Sequence, residues 1–210
     1  MNYLQPSEYE VYGLEATLPA AWVAAASSLI DAHCRRMTLG VAQYSERVRL
    51  APGRNSARLT YLPLASVAPA VTPIVSARVR FAVPRRGEGG YPLADLAHDV
   101  AQAFSLPGAW STLDPSTLDW QAETGELNFP AHPLGLGYNE AEIAYTAGLA
   151  TVPEAVKFAC AQVIRNAQAT PALNVRSGSI DRMHLEYFSD TLLDATVAKL
   201  LAPYVAQKVA

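Results

Sequence analysis

The side chains with the widest chemical reach in this sequence are four histidines and two cysteines, and their spacing keeps them apart. His33, His98, His132 and His184 contain no His-Glu-x-x-His pair, and Cys34 and Cys160 form no Cys-x-x-Cys pair, so no segment presents metal ligands together. His33 and Cys34 are neighbours, but on a helix neighbours point about 100° apart, which prevents the mutual hydrogen bond that activates a thiolate. Each cysteine lies in an apolar helical pattern and reads as a buried, reduced thiol rather than half of a disulfide. Gly87-Glu88-Gly89-Gly90 and Gly135-Leu136-Gly137 lack the lysine and the strand-loop-helix setting of a phosphate cradle, and read as turns. Glu123, Glu126, Glu140 and Glu142 could be imagined as paired carboxylates. On strand edges and turns, with no apolar pocket to raise a pKa, they read as solvated surface. The expectation is therefore no catalytic, metal or cofactor site and no cofactor, which moves the weight toward assembly or binding. Arg47, Arg49, Arg78 and Arg80 form a solvated strand face or, if their strands are adjacent, a sequence-tolerant grip on DNA. A small hydrolase using Cys34 or a histidine is the remaining alternative.

The elements that must position these residues follow from periodicity. Half of the 210 residues are hydrophobic, 17% are charged and the net charge is -3, which suits a globular chain with a sizeable core and argues against a broad basic surface for nucleic acid. The start lacks the basic flank and apolar run of a secretory signal, and no segment approaches a bilayer span, so the expectation is a soluble protein made in the cytosol, with no membrane partner.

A first helix is expected from about Leu18-Pro19 to Arg35, with Trp22, Ala25, Ala26, Leu29, Ile30 and His33 on one face and Arg35 and Arg36 at its C-terminal dipole. Ala16-Thr17-Leu18-Pro19 returns as Ala150-Thr151-Val152-Pro153, either as a duplicated helical unit or as two copies of a common start signal. The period then falls to two. Tyr44 to Leu50, a Pro52-Gly53 turn and Arg58 to Leu62 read as a hairpin, and Ile74 to Phe81 as a strand with Val75, Ala77, Val79 and Phe81 on one face. Leu118 to Trp120 and Leu127 to Phe129 flank Glu123-Thr124-Gly125 as a second hairpin, and Tyr138 to Tyr145 supplies a further strand.

Glu142 to Val156 is a strand running through Gly148 into a helix started by Pro153, so Tyr145, Gly148 and Pro153 form a structural junction. Val156, Ala159, Cys160, Val163, Ile164 and Ala167 continue it at helical spacing. Residues 84–115, with a possible short helix from Leu93 to Phe104, read as an insertion or mobile loop. Beyond a loop at 169–178, an extended Ile180 to Tyr187 precedes a helix from Asp190 carrying Leu192, Leu193, Val197, Leu200 and Leu201, ended or kinked by Pro203. The fold class expected is α+β: one domain over 1–210, a helical bundle of long N-terminal, central and C-terminal helices with a small antiparallel sheet inserted.

Taken in order, several segments resemble the head-tail connector, or adaptor, proteins of tailed bacteriophages. Leu29-Ile-Asp-Ala-His-Cys-Arg-Arg36 resembles the end of that family's first helix, Tyr44 to Leu50 with Leu62-Pro63-Leu64 its first strands, and Val71 to Phe81 the next strand. Thr124 to Phe129, and Ile143 to Leu149 with Val152-Pro153, resemble its most recognisable run; Leu185-Glu-Tyr187 and Leu192 to Tyr204 resemble its closing strand and helix. The likeness spans most of the chain outside 84–115 and rests on the order of motifs, none of which is unique. It implies a structural virion protein made in the host cytoplasm, a homo-oligomeric ring, dodecameric by resemblance, at the head-tail interface. The ring would bind the portal protein and a stopper or tail-completion protein in head completion and tail attachment, and pass genomic DNA without sequence specificity. The family's C-terminal segment is implicated in portal contact, which singles out Leu200, Leu201, Pro203 and Tyr204 as a docking element, with core packing the equal alternative for the two leucines.

Overall fold

A computed structural model of the chain describes residues 1–50, 55–80, 109–130, 138–169, 177–180, 183–186 and 192–207. The chain divides into two compact units, Met1–Gly40 with Leu149–Ala206, and Val41–Gly148 with Gln207. The first is helical around its own apolar core, and the second is built of sheet around another.

In the helical unit, α1 spans Ala20–His33, α2 Glu154–Ala169 and α3 Ala195–Leu201, and α2 packs against both α1 and α3. Pro19 and Pro153 stand just before α1 and α2, and the Pro153 carbonyl accepts from Lys157 N. The buried stripe of α1 is Val23, Ala26, Ser27 and Ile30, followed by Cys34, about one residue round from the expected face; Trp22 is 39% exposed. Ser27 tolerates burial because its Oγ accepts from Tyr3 N at 3.1 Å and lies 4.0 Å from Cys160 Sγ. The Tyr3 hydroxyl donates to Asp31 and accepts from Leu39 N, tying the N-terminal segment across the end of α1.

The α1 terminus is a Schellman turn: Arg35 N donates to Ala32 O and Arg36 N to Asp31 O, with Arg35 at φ 56°. Glycine is the usual occupant of that left-handed position. A strand pair, Ser177–Ile180 with Met183–Glu186 (β8 and β9 below), precedes α3. The expected helix start at Asp190 lies outside the described residues, and α3 begins after Asp194, whose carboxylate caps Val197 N at 2.7 Å. Pro203 then turns the chain into a short 3-10 segment.

In the β unit the strands are β1 Ala42–Arg49, β2 Ser56–Arg58, β3 Ile74–Arg80, β4 Ser111–Leu113, β5 Asp119–Trp120, β6 Glu126–Asn128 and β7 Glu140–Ala147. They form two antiparallel sheets, ordered β1-β7-β3-β4 and β2-β6-β5. Inward residues of both, among them Tyr44, Val79, Ile143 and Tyr145 from one and Ala57 and Leu127 from the other, share a single apolar cluster. The β5–β6 hairpin forms as expected. The β1–β2 hairpin does not, because β1 pairs along its whole length with β7 and β2 pairs with β6. Val75 is the extra residue of a bulge between Ile74 and Ser76, so it turns outward and is 51% exposed instead of lining the core face. Of the segment 84–115, the possible helix from Leu93 to Phe104 lies outside the described residues, while Ser111–Leu113 is an edge strand paired with β3.

The expected bundle of long helices with a small inserted sheet is therefore corrected. Among the described residues the three α-helices have 14, 16 and 7 residues, and the β segments build a two-sheet unit with a core of its own. The physical reason is that period-two alternation in β1, β3 and β7 commits the middle of the chain to sheet, while the Asp194 cap and Pro203 confine α3 to two turns.

Replacing Arg35 by Gly should stabilise the chain by about 1 kcal/mol, since an L residue in this conformation carries a cost of roughly that size. Urea unfolding reads it, and a lower midpoint for Arg35→Gly would show that the arginine side chain outweighs the backbone cost. Gly148 has φ 136° and its N–H donates to Pro63 O at 2.9 Å. Gly148→Val is expected to lose roughly 1–3 kcal/mol, and an unchanged thermal midpoint would mean that the turn needs no glycine.

Candidate functional site

The densest group of charged and aromatic side chains lies on the outward face of the four-stranded sheet. Alternation places Arg47 and Arg49 of β1, Glu140 and Glu142 of β7 and Arg78 and Arg80 of β3 on that face, while Ala141, Ile143, Tyr145 and Val79 point into the core. The register sets them in two rows across three strands, Arg47–Glu142–Arg78 and Arg49–Glu140–Arg80. Arg47 reaches diagonally, its Nε donating to Glu140 Oε1 at 2.9 Å, and Arg80 Nε meets Glu140 Oε2 at 2.7 Å. Arg78 Nη2 meets Glu142 Oε1 at 2.7 Å. The Trp110 ring caps the group, with the guanidinium carbons of Arg80, Arg78 and Arg47 at 4.5, 5.0 and 5.4 Å from a ring centroid.

Glu140 is 6% exposed, not the solvated carboxylate its position on a strand edge suggested. Burial alone would raise its pKa; the hydrogen bonds from Arg47 and Arg80 outweigh burial and hold it below the usual carboxylate range. The complementary charges at alternating positions of Arg47 to Arg49, Arg78 to Arg80 and Glu140 to Glu142 were the available signal. Trp110, inside the segment read as an insertion, offered none.

The arginines do not form the uninterrupted basic patch of adjacent strands. Strand β7 separates β1 from β3, and its two carboxylates against the four guanidiniums leave these six side chains a net of two positive charges. Arg47 and Arg78 keep about half their side-chain surface in water, at 50% and 48%. The arrangement is suited to electrostatic docking and supplies no general base or nucleophile.

Behind β1 a second polar group is enclosed. The Tyr145 hydroxyl donates to Glu46 and accepts from Tyr61 N, Thr60 Oγ1 donates to Glu46 Oε2 at 2.9 Å, and Tyr44 stacks on Tyr61 with centroids 3.9 Å apart. Burial first, then the bond to Glu46, pushes the Tyr145 phenol far above its ordinary value. Tyr145 is thus a fixed strut between β7 and the segment at Tyr61.

Cys34 and Cys160 are free and buried in the helical core, and burial pushes each thiol up to about 11. Neither is a thiolate at neutral pH. His33 is half-buried in the last turn of α1, His184 lies in β9, and His98, His132 and both glycine-rich turns fall outside the described residues. Among the described residues, no cluster of three or more His, Cys, Asp or Glu could hold a metal ion, and no helix is long and apolar enough to cross a membrane. Of the docking element, Leu201 is fully buried in the helical core, Leu200 and Tyr204 pack partly against it, and Pro203 is exposed.

Replacing Glu140 by Gln should cost roughly 1–2 kcal/mol at neutral pH, discounted because Arg47 stands half in water. A carboxyl with a depressed folded pKa contributes stability that is fully present above its unfolded value, near 4.3, and lost as pH falls through the lower folded value. The gap between wild type and Glu140→Gln in urea unfolding is therefore expected to narrow below about pH 4; a gap independent of pH would contradict the ion-paired role.

Compared with known proteins, the chain matches no protein-family model and no curated protein at a significant level.

Proposed function

We propose that this chain is a head-tail connector of a tailed bacteriophage: a structural virion protein that forms a ring at the head-tail interface between portal and tail. The observation that carries the reading is the order in which the resembling segments fall on the elements. Leu29 to Arg36 is the end of α1 with its Schellman turn, Tyr44 to Leu50 covers most of β1, and Val71 to Phe81 contains β3. Thr124 to Phe129 contains β6, Ile143 to Leu149 is the end of β7 with its glycine, and Val152-Pro153 opens α2. The closing segments fall on β9 and α3. These segments follow the order of the elements, except Leu62-Pro63-Leu64, which lies outside the strands and makes only an isolated bridge from Leu64 to Ala147.

On this reading the partners are further copies of the chain, the portal protein, a stopper or tail-completion protein, and DNA passing through the lumen. A net charge of -3 suits a channel that must release the genome, because a lysine- and arginine-rich lumen would hold it. Within the C-terminal element, Pro203 with the exposed parts of Leu200 and Tyr204 is the portion free to meet the portal, since Leu201 is committed to the core.

The test is light scattering coupled to size exclusion, run on the protein alone and mixed with portal rings from the same phage. The expected result is a complex whose added mass is a whole-number multiple of the chain. Portal rings that elute unchanged from a large excess of the protein would remove the reading. A monomer in isolation would not, because a ring can be assembled on its template.

A further inference from the structure

The two sheets of the β unit turn oppositely charged faces outward. On the four-stranded sheet, Arg47, Arg49, Arg78 and Arg80 face Glu140 and Glu142, a net of two positive charges. The three-stranded sheet alternates the other way: Ala57 and Leu127 enter the shared core, while Arg58, Asp119, Glu126 and Asn128 are exposed, with Glu123 exposed in the β5–β6 turn. Among the described residues of that side, three carboxylates against one guanidinium leave two negative charges. Because both inner faces line one cluster, the basic and acidic faces lie on opposite sides of a two-layer unit.

We infer that the arginine face of one copy docks on the acidic outer face of the three-stranded sheet of the next copy, making a heterologous, head-to-tail contact within the proposed ring. This rests on the ring reading and names its contact. Two different faces that complement each other chain copies in one direction, which is the interface type that closes into a ring when the rotation allows, whereas a two-fold contact would set like charge against like. The arginine side is already organised for docking: Glu140 and Trp110 hold the guanidiniums in place, which lowers the entropy lost on contact, and Arg47 and Arg78 still present about half their surface. On the acidic side, Asn128 Nδ2 reaches Asp119 Oδ2 at 3.5 Å and Arg58 Nε donates to Thr124 O at 3.1 Å, while Asp119 and Glu126 stay exposed.

Charge exchange tests the contact without portal protein. The full-length chain is examined by sedimentation velocity at about 50 mM and about 500 mM salt, with association expected at the lower concentration and lost at the higher. Arg49→Glu with Arg78→Glu gives a copy with two acidic faces, and Asp119→Lys with Glu123→Lys gives a copy with two basic faces. Each alone should associate at least about tenfold more weakly than wild type, and an equimolar mixture of the two should recover, since each basic face then meets an acidic one. Recovery also shows that both variants are folded. A wild type that is monomeric at low salt, variants that associate as wild type does, or a mixture that fails to recover would each overturn the contact. Portal binding that survives any of these outcomes leaves the ring reading standing, so the two failures are distinguishable.

Discussion

Strand β7 is paired along both edges and used on both faces, and the β unit depends on that double commitment. Its inward row of Ala141, Ile143, Tyr145 and Ala147 is fully buried, and its outward row begins with Glu140 and Glu142 between the arginines of β1 and β3. A slip of one residue would carry the glutamates into the apolar cluster and turn the tyrosine strut outward, so the charge rows and the core specify the same register. Desolvating Glu140 is tolerable because two guanidiniums meet it; taking those partners away would leave a buried carboxylate uncompensated. Tyr145 links the strand to Glu46 and to Tyr61 N on the core side, so β7 positions both the inner polar group and the outer arginine face.

The helical unit obeys a different constraint. Its residues come from the two ends of the chain, and small side chains let its helices approach: Ala26, Ser27, Ala159, Cys160 and Ala161 are buried together with Val23, Ile30 and Ile164. Tyr3 closes the end of α1 over Asp31 and Leu39, and Ala206 N donates to Cys34 O, so the first and last segments are both fixed at that helix end. The thiols fill space there, and burial withdraws them from chemistry.

Local signals were legible where local physics decides. The proline-started α2 and its buried face, the β5–β6 hairpin and the positive φ at Gly148 all follow from short-range patterns in the sequence. Pairings between distant strands were not. Tyr44 to Leu50 and Arg58 to Leu62 look like a hairpin because they are close in sequence, yet β1 belongs with β7, almost a hundred positions away, and only the charge match of Arg47 and Arg49 with Glu142 and Glu140 hinted at it. The α1 stripe was misread by one residue because Ser27 is polar by type and apolar in effect once Tyr3 N bonds its hydroxyl. Val75 escaped the alternation rule because a bulge resets it, and the C-terminal helix was overextended because apolar periodicity does not announce a cap at Asp194.

Electron microscopy of portal rings mixed with this protein addresses the central claim, a ring at the portal, most directly. The account predicts class averages with an additional coaxial ring of density on one face of the portal, its rotational symmetry matching whole copies of the chain, and an open channel through the centre. Portals indistinguishable from those imaged alone, at saturating protein, would contradict it.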